Sequence, residues 1–338
     1  MTMIIIMSRM DSEDLLNQFN ILIYEDFFEK ISVNVVREYK NNYDYYYLKR
    51  ILEKGKDGNI DTIVSGSSYG CFGIEGSMMS GAVNCALPSQ DLYYATKNIY
   101  EICENNNQIR NIIVCCSYYY FYSDLSKTQN PIEIKRISNV YYPIFEDLHN
   151  CIMLPKRENQ LLDSEIFDME KILELYLMGE SDEKYFNDNR KRKDFATKLW
   201  SDKSKEWREV KIEEKVWTGK ERALRHNKSE ARKMTFKENK KIFSELADYC
   251  TQKNINLILV VTPATKYYRE HLSRTYKDSF YKVLDETKGD VHLLDLFEDE
   301  NFADDDFNDM DHLGDEGAAK LTYFVVSLLE DINGNRIE

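Results

Sequence analysis

Asn256-Leu-Ile-Leu-Val-Val-Thr-Pro263 is the stretch that decides the fold. Its apolar run has no polar interruption, so neither face of the strand it forms meets water. Strands buried on both faces belong to parallel sheets covered by helices, and the Thr-Pro pair marks where this one ends. Working outward, short runs of similar texture fall at Thr62–Val64, Ala82–Ala86, Asn111–Cys116 and His292–Leu294. Amphipathic stretches alternate with them at Asp91–Glu104, Thr235–Gln252, Lys266–Thr287 and Gly314–Asp331. Strands alternating with helices predict an α/β chain, a three-layer α/β/α sandwich around a five-stranded, mainly parallel sheet.

Two regions stand outside this alternation. Residues 11–57 have helical texture, with Leu15, Phe19, Leu22 and Phe27 to Ile31 at helix-like spacing, and Lys54-Gly-Lys-Asp-Gly58 ends the pattern. The expected organisation is a helical N-terminal region over residues 1–57 and an α/β domain over residues 58–338. Between the third and fourth strands the chain runs far longer than a crossover needs. Its charged central part, about residues 155–230, carries Trp200, Trp207 and Trp217. We expect a helical insertion there, either a lid or partner surface or a solvated decoration.

Composition bounds the function. With 45 basic and 59 acidic residues the formal charge is -14, which repels nucleic acid and anionic lipid. The basic run Lys191-Arg-Lys193 lies among acids, so no nucleic-acid partner is expected. Seven cysteines is an odd number, and none forms a CxxC pair. Cys115 and Cys116 fall inside an apolar run, where Cys acts as a small hydrophobe. This usage fits a reducing compartment. Met3 to Met7 is too short for a signal segment or a membrane span, so the expectation is a cytoplasmic protein with no span.

The first chemistry-bearing segment is Asp61-Thr-Ile-Val-Ser-Gly66-Ser67-Ser68-Tyr69-Gly70. In an open parallel sheet the carboxyl ends of the strands form the ligand crevice, so a Ser just past the first strand points into it. Gly66 allows a sharp turn. A helix starting near Ser68 would aim free N–H groups at the same place and could hold an oxyanion. The plainer reading is that Ser67 or Ser68 caps that helix. Gly66, Gly70 and Gly73 also raise nucleotide binding, but no Gly-Lys-Ser/Thr follows and the spacing is not that of a dinucleotide fingerprint.

The second segment is Asp304-Asp-Asp306-Phe307-Asn308-Asp309-Met310-Asp311-His312-Leu313-Gly314. Asp309-x-x-His312 spacing lets both side chains share one tight turn, as a base and its orienting carboxylate require. Asp311 is a second candidate for the orienter. A calcium loop fails on Leu313 at a ligand position and Lys320 where a bidentate Glu belongs, so no metal is expected. His149, His226, His271 and His292 show no ligand spacing to one another and read as ordinary surface or core residues. Arg222, Arg225 and Arg232 could bind an anion or simply face water.

Together these segments resemble the SGNH/GDSL hydrolase superfamily. Gly66-Ser67-Ser68 is similar to its first block, with Ser67 in place of the usual Asp, and Asp309-Met-Asp-His312 to its last. The phrase from Phe307 to Thr322 is similar to the branch that includes the teichoic-acid D-alanylation protein and capsule-cluster relatives. Asn84-Cys-Ala-Leu-Pro-Ser89-Gln90 resembles the second block, with Ser89 where a glycine donates an oxyanion N–H. Ser117-Tyr118-Tyr119 falls where the third block carries an asparagine; Tyr118 or Tyr119 could donate a hydroxyl instead, and the backbone N–H groups of Ser68 and Ser89 remain as donors. The resemblance implies a flavodoxin-like sheet and a triad of Ser68, His312 and Asp309 that needs no cofactor. It also implies a serine esterase or O-acyltransferase whose substrate is a small-molecule or glycan ester, an O-acylated carbohydrate or surface-glycan precursor. The altered third block keeps a second expectation open, a non-catalytic scaffold of the same fold serving polysaccharide assembly.

Overall fold

The computed structural model describes residues 42–157 and 207–334. The early part of the expected N-terminal helices, most of the expected insertion with Trp200, and the Lys191-Arg-Lys193 run lie outside the described residues. The chain forms one five-stranded sheet from β1 (Thr62–Gly66), β2 (Ala82–Asn84), β3 (Asn111–Cys116), β4 (Asn256–Val261) and β5 (Val291–Asp295). All neighbouring pairs are parallel, in the order β2-β1-β3-β4-β5. The expected α/β/α sandwich and parallel sheet are therefore observed.

The sheet divides its side chains between two cores because strand residues alternate in direction. Ile112, Val114 and Cys116 of β3 and Leu257, Leu259 and Val261 of β4 face one side. There they meet α1 (Tyr43–Gly55), α3 (Leu92–Asn105), α5 (Lys233–Lys253) and α7 (Arg274–Glu286). Ile113, Cys115, Ile258 and Val260 face the other side, against Leu321 and Val325 of α8 (Asp315–Gly334) and Tyr69 of α2 (Ser68–Gly73). Each fully buried Ile, Leu or Val contributes roughly 1.5–3 kcal/mol relative to exposure. Helix α1 belongs to this same body: Leu48, Ile51 and Leu52 enter the first core and the Tyr47 hydroxyl donates to the Asn84 carbonyl at 2.6 Å.

Buried amides fix the alignment of the three central strands. Thr62, Asn111 and Asn256 are paired across β1, β3 and β4. Asn111 Nδ2 donates to Thr62 Oγ1 at 3.1 Å, and Asn256 Nδ2 donates to Asn111 Oδ1 at 2.8 Å. All three residues are buried at the starts of their strands, where unpaired polar groups would cost about 1–3 kcal/mol each.

Three local expectations differ from the structure. The second strand stops at Asn84 rather than Ala86, because the Asn84 side chain accepts the Ala86 N–H at 3.0 Å and turns the chain. The helix expected over Lys266–Thr287 is two helices, α6 (Lys266–Arg269) and α7. Asn227 fastens the break, accepting from Ser273 N at 2.9 Å and donating to the His271 carbonyl at 2.9 Å. The end of the insertion is not a solvated decoration. Its helix α4 (Ile212–Asn227) lies on α6 so closely that a Cβ at Gly219 would stand 2.5 Å from the Tyr267 carbonyl oxygen. Trp207, just before it, is buried.

Candidate active site

Strand β1 is flanked by β2 and β3: the chain passes from β1 to β2 on one side and then crosses to β3 on the other, so the strand order reverses there and the crevice opens at the carboxyl end of β1. Gly66 ends the strand at φ 119°, and a Cβ there would lie 2.0 Å from the Cys115 carbonyl oxygen. Only glycine fits that turn. Helix α2 starts two residues later with Ser67 at its N-cap, and the Ser67 side chain makes no cap bond. The capping reading of Ser67 thus fails, and the Ser68 side chain is engaged elsewhere. Gln90 Nε2 donates to the Gly66 carbonyl at 2.7 Å and steadies the turn from below.

The second segment folds back over this turn. Phe307 and Leu313 form an isolated bridge, and Asn308 N donates to the His312 carbonyl at 2.9 Å. Asp309 Oδ1 accepts from the backbone N–H of both Asp311 (2.9 Å) and His312 (2.8 Å). Thr265, between β4 and α6, ties the loop to the sheet through the Met310 carbonyl at 2.8 Å. At Gly317 a Cβ would lie 2.1 Å from the Asp306 carbonyl oxygen, so α8 can pass close beneath the loop.

Ser68, Asp309 and His312 come together as expected. His312 Nε2 lies 2.8 Å from Ser68 Oγ, and Nδ1 lies 2.9 Å from Asp309 Oδ2. An ionised Asp309 requires the proton on Nδ1, which leaves the Nε2 lone pair to accept from the serine hydroxyl. Burial would raise Asp309, but the adjacent imidazole and Arg222 outweigh it and hold its carboxyl well below the usual range. Burial likewise lowers His312, and the nearby carboxylates of Asp309 and Asp311 outweigh that, so its imidazole is more basic than usual.

Asp311 has a different task. Its oxygen Oδ1 stands 3.5 Å from His312 Nδ1, beyond hydrogen-bond length. Its other oxygen accepts from the Tyr69 hydroxyl at 2.8 Å and from Arg222 Nε at 3.2 Å. Of the two carboxylates that the sequence left open, Asp309 is the one hydrogen-bonded to the ring. Tyr69 also stacks on the His312 ring with centroids 5.4 Å apart, while Phe72 meets it edge-on at 5.7 Å. Burial and the charge of Asp311 push the Tyr69 hydroxyl well above its ordinary value, keeping it a donor.

The other expected donors divide. Tyr118 turns away: its hydroxyl donates to Asp295 Oδ2 at 2.6 Å, and its ring packs on Phe297 with centroids 4.6 Å apart. It cannot serve the oxyanion, a correction that follows from the tight 3-10 turn over Tyr118–Tyr122, in which neighbouring side chains diverge. Tyr119 stays at the site, its hydroxyl 3.2 Å from that of Tyr69. Ser89 is half-buried beyond β2 with φ 59°, the left-handed conformation that suits the glycine it replaces.

Arg222 and His226 reach the site from α4; the sequence offered Arg222 only as a possible anion binder and His226 as an ordinary residue. They lie four residues apart and so share one helix face. His226 packs on Tyr119 with centroids 4.1 Å apart and the rings tilted by 32°, and Nδ1 lies 2.5 Å from the Tyr268 hydroxyl. Burial and the neighbouring Arg222 hold His226 well below its ordinary value, so it stays neutral. Atoms of Asp309, Asp311 and His312 are close enough to hold a cation. Both ring nitrogens of His312 are already engaged, by Asp309 and Ser68, so the ring keeps no lone pair for an ion and the arrangement fits proton transfer better. Among the described residues no helix is long and apolar enough to cross a membrane, and all seven cysteines are free thiols. Compared with known proteins, the chain matches no family model and no curated protein.

Proposed function

We propose that the chain is a serine esterase or O-acyltransferase, with Ser68 as nucleophile, His312 as general base and Asp309 as its orienter. The observation that carries this reading is the continuous relay Ser68–His312–Asp309, with links of 2.8 and 2.9 Å, at the carboxyl end of β1. His312 Nε2 takes the Ser68 proton as Oγ bonds to an ester carbonyl carbon. The carbonyl oxygen becomes an oxyanion facing the start of α2 and the loop of Ser89. The tetrahedral species collapses, the carbon–alkoxy bond breaks, and the departing alcohol takes the proton from His312. Water or an acceptor hydroxyl then repeats the sequence on the acyl-enzyme.

The resemblance to the SGNH branch of surface-glycan proteins supports an O-acylated carbohydrate as substrate or acceptor. Seven free thiols support a cytoplasmic setting. The scaffold alternative draws on the loss of Tyr118 as a donor; the intact relay and its buried support favour catalysis. A fluorophosphonate reagent tests the choice. Wild type should label on Ser68, and Ser68→Ala should not. An unlabelled wild type, or equal labelling of the variant, would sink the catalytic reading.

A further inference from the structure

A second buried group lies on the other side of the β2 and β3 loops. Asp91 starts α3, Asp124 follows the turn after β3, and His149 lies in the loop after residue 145. One ligand-capable atom of each lies within 4.8 Å of the others. Asp91 is 0 % exposed and Asp124 is 2 % exposed, and the His149 side chain is 5 % exposed. Three separated segments thus converge on one solvent-excluded point, unlike a run of surface acids.

The imidazole supplies the decisive detail. His149 Nε2 lies 3.3 Å from Glu238 Oε1 and 3.1 Å from Asn150 Nδ2, so this nitrogen is engaged in either tautomer, and a metal-bound ring would turn its Nε2 proton toward Glu238. Asn150 Nδ2, 3.1 Å from Nε2, supports the same carboxylates by donating to Glu238 Oε2 at 2.8 Å and to Asp124 Oδ2 at 3.2 Å. Nδ1 has no hydrogen-bond partner among the described residues. It faces Asp124 Oδ1 at 3.8 Å, an oxygen that also accepts from the Ser126 N–H at 2.9 Å and from the Ser126 hydroxyl. The separation of Nδ1 from that oxygen is too long for a hydrogen bond. It suits two ligands of one ion, each about 2.0–2.2 Å from the metal. The ring stacks on Tyr93 with centroids 3.8 Å apart, which fixes its plane. Lys127 neutralises one charge through Asp124 Oδ2 at 2.8 Å; Asp91, Asp124 and Glu238 together still leave the group negative.

We propose that Asp91, Asp124 and His149 bind a divalent transition-metal ion of the Zn²⁺ or Mn²⁺ class. Asp91, Asp124 Oδ1 and His149 Nδ1 are the ligands; the carboxylates would use lone pairs beyond those that accept the Tyr94, Leu125 and Ser126 N–H groups, and Glu238 would accept from Nε2 of the bound ring. A nitrogen ligand beside two carboxylates selects such ions over Ca²⁺ and Mg²⁺, which prefer oxygen alone. A carboxylate on the far nitrogen is the usual support of a metal-bound histidine. The ion would clamp the start of α3, one residue after Gln90, to the loop that carries Tyr119. It rests on residues separate from the triad and does not depend on the proposed function.

Calorimetry on chelator-stripped full-length protein, titrated with Zn²⁺ and with Mn²⁺, tests it. The expected result is about one ion per chain, retained in His312→Gln and weakened at least about 100-fold in Asp124→Asn and His149→Gln. Absence of binding to wild type, unchanged affinity in those two variants, or loss in His312→Gln would overturn the proposal. If the two variants fail to fold, nitrogen-15 spectra of histidine-labelled wild type decide. A ring carrying only the Nε2 proton, with Nδ1 shifting on Zn²⁺ addition, supports the ion. A doubly protonated ring unmoved by Zn²⁺ shows that a proton bridges to Asp124 and rejects the metal.

Discussion

His312 and His149 each sit beside two aspartates, and each group is compact enough to hold an ion. Both rings are nearly closed to water, with side-chain exposures of 4 % and 5 %. Their neighbours give them different chemistry. At His312, a carboxylate takes Nδ1, a serine hydroxyl meets Nε2, and Arg222 and Tyr69 occupy the spare aspartate. At His149, Glu238 and Asn150 meet Nε2, and Nδ1, without a hydrogen-bond partner among the described residues, faces Asp124 Oδ1 at 3.8 Å. Residue types alone do not tell a fully engaged ring from one with a nitrogen left over; what stands at the second nitrogen does.

Removing the Ser68 hydroxyl should separate the two groups most. Ser68→Ala is expected to lower kcat/KM toward an activated ester by up to about 10⁶-fold, with Zn²⁺ affinity unchanged. Parallel loss of both would mean that the sites are not independent. Next comes the contrast within the triad turn. Asp309→Asn should cost about 10⁴-fold in kcat, and Asp311→Asn far less, because only Asp309 reaches Nδ1 within bonding distance. Equal losses in steady-state assays would make the two carboxylates interchangeable.

Glu238→Gln addresses the other group. It should weaken Zn²⁺ about 10–100-fold in the same titration and leave ester turnover intact. The smallest effect concerns pH. His312 must be neutral to accept a proton, and nearby carboxylates raise its basicity. The rise of kcat/KM with pH should therefore be centred above the ordinary imidazole value of about 6.5. Arg222 opposes that elevation, so Arg222→Met should move the limb to higher pH, and adding Asp311→Asn should bring it back. A limb that stays put in Arg222→Met would show that Arg222 only packs.

What the sequence made legible was local. Asn256 to Pro263 announced a doubly buried strand by itself, and Asp309-x-x-His312 announced a shared turn. Ser68 followed from a strand running into small residues. What it hid depends on distant partners. Arg222 meets Asp311 across 89 residues, and nothing near Arg222 distinguishes it from a solvated helical arginine. Tyr118 and Tyr119 are neighbours of one type, and only the turn sends one to Asp295 and the other to Tyr69. The interruption between α6 and α7 is written in Asn227, not in residues 266–287. His149 lacked ligand spacing because its neighbours come from separate loops.

The row through Thr62, Asn111 and Asn256 lies at the end of the sheet opposite the candidate site, yet it bears on that site's geometry. Parallel apolar strands such as these offer little in their own side chains to tell one alignment from the next. A slide of one position displaces a strand by about 3.3 Å, more than the whole Ser68–His312 separation of 2.8 Å. Substituting both asparagines by valine should thus leave a chain that still collapses and keeps its helices while losing turnover, its strands spread over neighbouring alignments of which one retains a working crevice.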